Sequence, residues 1–449
     1  MITDPYPTRV TRRTPRETRV PRPRPERSRL AVRARRAGAV AAALLSIACE
    51  ARPQAVPAEL RATADRVLPR LQELAGLEQR RPIALGVRSR DELRAYVERR
   101  LREEFPSERM EGVRATYVAL GLLPEELDLE ALLLDLYSEQ IVGFYDPARD
   151  TLYLVDDVPT AQLETVLVHE LVHALQDQHA DLEALVDPAL GGDRQSAAQA
   201  AIEGHATLVM VGYTVDALGA DPSALAALPD LAAQLGPALQ ASSFPVLSGA
   251  PRIIRDALLF PYFGGAGFAQ ELWRRAAAGE LPGAGAYPAP FGELMPASTE
   301  QVRRPAARFF PVPDPPTELR FDPPQAAGWP VLYENTFGEL ELSILLSEWL
   351  DDGAGALAYG WDGDRYVALR TPGAGVALDI ALVWDDSAGA DAFADAYERA
   401  AAGRPARAVT ARRTRLAGRE LVLISDVPAG EDPSALPRRR VRIEAGASR

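Results

Sequence analysis

The run His169-Glu170-Leu171-Val172-His173 commits its stretch of chain to a helix with two chemically opposite faces. Four residues turn an α-helix through about 400°, so the two imidazoles lie about 40° apart, and Glu170 sits about 100° from the first. Two imidazole nitrogens on one face with a carboxylate beside them fit a divalent metal and a general base for water. Measured from His169, the residues Leu167, Val168, Leu171, Val172 and Leu175 occupy an arc of about 160° to 300°, which makes the opposite side core. The chain has 4 His in 449 residues, so a chance match to the pattern is expected only on the order of a few times in a thousand.

A zinc hydrolase site takes three protein ligands and leaves a position open. Two residues are candidates for the third. His179 stands six residues after His173, the offset in the pattern H-E-x-x-H-x-x-G-x-x-H, but Gln176 replaces the Gly that turns the chain there. Leu182 and Leu185 keep the apolar register, so the helix is expected to continue and to carry His179 to about 280°, away from the metal face. Glu203 lies in the segment Ala200 to Met210, apolar on nearly every side, where a carboxylate needs a partner such as a metal ion or Arg194. Gly204 and Ala206 are small enough to let this second helix approach the first. Asp177, four residues after His173, is expected to accept the second ring N–H of a ligating His.

These residues resemble the gluzincins, the thermolysin-like clan in which H-E-x-x-H is followed by a Glu ligand on a second helix. They resemble more closely a group of bacterial envelope proteins, through Gly143-Phe144-Tyr145-Asp146-Pro147, His169 to His179, Glu203-Gly204-x-Ala206 and Ser298-Thr299-Glu300-Gln301. The similarity runs from about Ile141 to Pro305 and is weaker toward Trp361-Asp362-Gly363-Asp364-Arg365-Tyr366. It implies one Zn2+ per chain, with His169, His173 and Glu203 as ligands and Glu170 as catalytic base. Ile202 and Thr207 stand where that clan carries an Asn and an Asp, so the groups around the ligands must differ. For the residue that stabilises the oxyanion, His205 and Tyr262 are the candidates, and Ser298 to Gln301 is read as a helix cap.

Before the motif, residues 140–145 and 151–155 read as a β-hairpin that would offer an edge to an extended peptide. Helices are expected at 57–77, 91–105, 109–120 and 127–137, with a strand at 83–87. Residues 222–281 read as helical with an interruption at Gly264-Gly265-Ala266-Gly267, and 282–330 as an irregular, Pro-rich connection. Beyond Trp329, helices at 337–350 and 388–401 alternate with strands at 366–370, 376–384, 406–413 and 420–425. The fold class is therefore α+β: a mainly helical zincin-like domain over 57–325 with a small sheet, a separate α+β domain over 326–430, and a flexible tail over 431–449.

The single Cys, Cys49, follows an Arg-rich stretch and a short apolar run, and excludes intrachain disulfides. Residues 1–48 read as a basic tail and a secretory signal, and Leu45-Ser46-Ile47-Ala48-Cys49 resembles a lipobox that would tether the chain to a membrane through a lipid on Cys49. The start codon is read as lying nearer Val32. With +9 before Cys49, the remainder carries −22 of the −13 total, which argues against a nucleic-acid partner. No feature sets an oligomeric state. The expected function is a zinc metallopeptidase of the bacterial envelope acting on polypeptides. The alternatives are a zinc amidohydrolase with a non-peptide substrate and a lipoprotein whose metal site is structural or degenerate and which binds a partner.

Overall fold

The computed structural model describes residues 56–229, 231, 234, 244–322, 328–437 and 439–444; the expected tail, signal segment and Cys49 lie outside them. The fold is α+β, a helical region followed by a C-terminal sheet. Helix α1 (Ala58–Ala75) ends at Gly76, whose φ of 63° is a left-handed cap that suits glycine. Strand β1 (Ala84–Arg88) leads into α2 (Arg90–Glu104), started by a capping box between Ser89 and Glu92. Helices α3 (Ser107–Ala119) and α4 (Leu129–Gln140) follow.

The expected hairpin forms from β2 (Gly143–Asp146) and β3 (Thr151–Val155). The sheet order is β1-β3-β2, with β1 parallel to β3, so β2 is an edge. Both sheet faces are buried: Leu152 and Leu154 pack with Tyr145 and the motif helix, while Tyr153 and Val155 join Leu93, Tyr96 and Leu133. The motif helix α5 (Thr160–Asp177) keeps Leu167, Val168, Leu171, Val172 and Leu175 at 0–1% exposure, as the apolar arc requires.

Helix α5 does not continue past Asp177. A short helix α6 (Leu182–Leu185) starts afresh at Asp181, whose carboxylate accepts from the Ala184 N–H at 3.0 Å. Helix α7 (Gly192–Ala217) carries Glu203; after α8 (Pro245–Gly249) comes α9 (Arg252–Ala277), unbroken through Gly264 to Gly267 where an interruption was expected. Those small residues serve a crossing instead. A Cβ on Gly204 would overlap the Gly265 backbone, and one on Gly265 would overlap the Ala200 carbonyl. Gly204 thus brings α7 against α9 rather than against α5.

Helices α10 (Thr299–Arg303) and α11 (Pro305–Arg308) and strand β4 (Leu319–Phe321) punctuate the Pro-rich connection, and Ser298 caps α10 by accepting from the Gln301 N–H. The C-terminal region comprises β5 (Val331–Asn335), α12 (Gly338–Trp349), β6 (Trp361–Arg370), β7 (Val376–Trp384), α13 (Ser387–Ala402), β8 (Arg407–Leu416) and β9 (Arg419–Pro428). Its five strands are antiparallel in the order β5-β6-β7-β9-β8.

The expected C-terminal α+β region forms and packs on the helical one: its buried residues Tyr366, Ile380 and Trp384 belong to the same core as Leu120 and Leu133, and the Trp349 indole N–H donates to the Leu120 carbonyl at 2.8 Å. The boundary expected at 325/326 falls outside the described residues. One expectation needs correction: the end of the chain is not wholly a flexible tail, because strand β10 (Val441–Ile443) pairs with β4 and lays Val441 and Ile443 over Ala381, Val383 and Leu421 of the sheet. Among the described residues no helix is long and apolar enough to cross a membrane.

Candidate metal centre

Helices α5 and α7 bring three donor atoms to one point. His169 Nε2 and His173 Nε2 are 3.1 Å apart, and Glu203 Oε2 lies 3.2 Å from the first and 3.3 Å from the second. Their rings meet edge to face, with centroids 4.7 Å apart. Tetrahedral zinc with bonds of about 2.0–2.1 Å spaces its ligand atoms by about 3.3 Å, so the triangle has the dimensions that ion needs. Among the described residues this is the one group of three His, Cys, Asp or Glu side chains able to share a cation. The donor set, two imidazole nitrogens and a carboxylate with no guanidinium among them, is of the kind that ligates zinc.

The imidazoles and the carboxylate also stabilise one another. Burial opposes charge on Glu203, yet the attraction of His173 and His169 outweighs it and holds the carboxyl well below its ordinary range. Burial likewise works against charge on His173, and Glu203 overrides it, raising the imidazole. Glu170 shows the reverse balance: desolvation lifts its carboxyl above the usual value although His173, His169 and the Tyr145 backbone N–H pull it down. A carboxylate of raised basicity beside the donors is what a proton acceptor requires.

Around the donors, the structure reassigns several expected roles. His173 Nδ1 pairs with Gln176 Oε1 at 2.8 Å and not with Asp177. Asp177 accepts from Arg81 at 2.8 Å and from the Tyr145 hydroxyl at 3.0 Å, because the i+4 position points past the ring toward β2. His179 is no ligand; with α5 ended, its ring donates to the Glu78 carbonyl at 2.7 Å. His205, expected as an oxyanion candidate, is fully buried with Nδ1 3.0 Å from Gln176 Nε2, and burial pushes it down to about 3, which keeps it neutral. Glu203 takes the two imidazoles, not Arg194, as its partners. Gln176 is the residue the sequence reading missed, although its place three residues after His173 puts it on the same helix face.

Tyr262, on α9, is half-buried with its ring centroid 6.3 Å from that of His169. Desolvation, then Glu203 and Glu170, raise its hydroxyl well above the ordinary phenol value, so it stays a hydrogen-bond donor. The edge strand β2 lies beside the motif helix, with the Tyr145 N–H on Glu170.

A family model described as a domain of unknown function, DUF8575, matches residues 331–425, which spans β5 into β9 and excludes the three donors. Searches of curated proteins and of solved structures return no match.

Proposed function

We propose that this chain is a zinc-dependent metallopeptidase of the bacterial envelope, with His169, His173 and Glu203 holding the ion and Glu170 acting as general base. The observation that carries this reading is the convergence of two Nε2 atoms and one carboxylate oxygen to within 3.1–3.3 Å of one another. When bound, zinc supplies a Lewis acid that polarises a carbonyl and acidifies water. Glu170 takes the proton of the attacking water and hands it to the leaving amine, a role its raised basicity supports. The Tyr262 hydroxyl donates to the developing oxyanion, and an extended polypeptide lies along β2. The Arg-rich stretch, apolar run and Cys49 support export with a lipid on that cysteine.

The test is zinc content together with hydrolysis of a mixed peptide library read by mass spectrometry, for the wild type and Glu170→Gln. The expected outcome is one zinc in both proteins and a loss of about 10²- to 10⁴-fold in cleavage rate for the variant. A zinc-loaded wild type that cleaves no library member would sink the peptidase assignment.

A further inference from the structure

We propose that Gln176 is the positioning residue of the donor cluster: it dictates which nitrogen of His173 carries a proton, and it ties that histidine to the turn of α7 bearing Glu203. This rests on reading His169, His173 and Glu203 as a metal site.

The deduction starts from a group with no choice of role. The Ile202 backbone carbonyl can only accept, and Gln176 Nε2 lies 2.9 Å from it, so this end of the side chain is the NH2. The second hydrogen of that amide reaches His205 Nδ1 at 3.0 Å, which must be a lone pair. The amide oxygen is then the atom 2.8 Å from His173 Nδ1, and because oxygen here only accepts, His173 Nδ1 holds a hydrogen. In the neutral ring Nε2 is then the end that gives a lone pair, and it points at His169 and Glu203. Gln176 is fully buried, so water does not compete for these bonds.

The side chain is matched to the task at both ends. Its oxygen serves a ring one turn back on α5, and its nitrogen crosses to the residue preceding Glu203 on α7. Leucine would leave the Ile202 carbonyl, His205 Nδ1 and His173 Nδ1 without this partner, and asparagine would fall one methylene short. A glutamate keeps the acceptor for His173 and loses the donor for α7. Partners that orient a ligating histidine are typically worth about 10- to 100-fold in metal affinity.

The test uses the full chain with ¹⁵N-labelled histidine, as wild type, Gln176→Leu and Gln176→Glu. Two properties are measured: the hydrogen-bonded His173 Nδ1–H resonance of the zinc-free protein, and zinc affinity by competition with a chromophoric chelator. The wild type and Gln176→Glu are expected to show the Nδ1–H signal. Gln176→Leu is expected to lose it, with unchanged far-ultraviolet circular dichroism and zinc binding weakened about 10- to 100-fold. Retention of the signal and of full affinity in Gln176→Leu overturns the proposal. So does absence of the signal in folded Gln176→Glu, which decides the matter if the leucine variant does not fold. A wild type that binds no zinc removes the metal reading alone, since the Nδ1–H signal still decides the role of Gln176.

Discussion

Helix α7 buries carboxylates at two levels and satisfies them in opposite ways. At its first turn, Asp193 accepts from the Thr299 backbone N–H at 3.0 Å and from the Thr299 hydroxyl. Around it, Glu339 pairs with Arg303 and Arg304, Glu300 with Arg304 and Arg308, and Asp364 accepts from the Phe337 and Gly338 N–H groups and the Trp361 indole. About three turns further on, Glu203 meets only two imidazole nitrogens. The first cluster is closed, with donors and cations of its own, and it fastens α7 to α10 and α12. The second consists of groups that all offer electron pairs to the same point. Burial is common to both, so burial of charge by itself does not mark function; the convergence of metal-type donors does.

The largest expected effect comes from opening the second cluster further. Glu203→Ala should reduce zinc, measured by elemental analysis after dialysis, from one per chain to near none while the protein stays folded; undiminished zinc would break the contrast. Glu339→Ala attacks the first cluster, where it removes one partner each from Arg303 and Arg304. It should cost about 1.5–3 kcal/mol in denaturant unfolding yet leave zinc content intact.

A finer probe is pH. Burial raises the Asp193 carboxyl to about 7, against the pull of Thr299 and with Asp364 and Glu339 adding to the rise. A carboxyl with a raised folded value contributes stability that is full below the ordinary range, near pH 4, and is lost as pH climbs through about 7. Asp193→Asn does not titrate, so between pH 5 and pH 8 its melting temperature should gain on the wild type. Parallel curves for the two proteins would count against a protonated Asp193. The smallest effect is expected for His179→Ala, which removes one bond to the Glu78 carbonyl, about 1 kcal/mol, with zinc retained. Zinc loss there and not in Glu203→Ala would reverse the ligand assignment.

What was legible in the chain followed from local periodicity. The apolar arc of α5 and the β-rich runs of β2 and β3 are properties of a few consecutive residues, and Glu203 stood out as a lone carboxylate in an apolar run. What escaped was decided by groups distant in sequence. Helix α5 stops at Asp177 where Gln178, just beyond it, accepts the backbone N–H groups of Arg80 and Arg81, at 2.6 and 2.9 Å. The role of Gln176 depends on the Ile202 carbonyl, and the partner of Gly204 is α9, whose glycines read as a break when taken alone. The strand Val441–Ile443 is too short to announce itself and becomes evident only from the sheet face it covers.

The contact between Gly204 and Gly265 has a consequence for the site. Because the two backbones touch beside Glu203, α7 cannot roll about its own axis without colliding with α9. The aim of the carboxylate is thus recorded partly in a helix that supplies no ligand. A Gly265→Ala variant, which keeps both histidines and the glutamate, should therefore shift the carboxylate away from the two imidazoles while the pentapeptide still reads as intact.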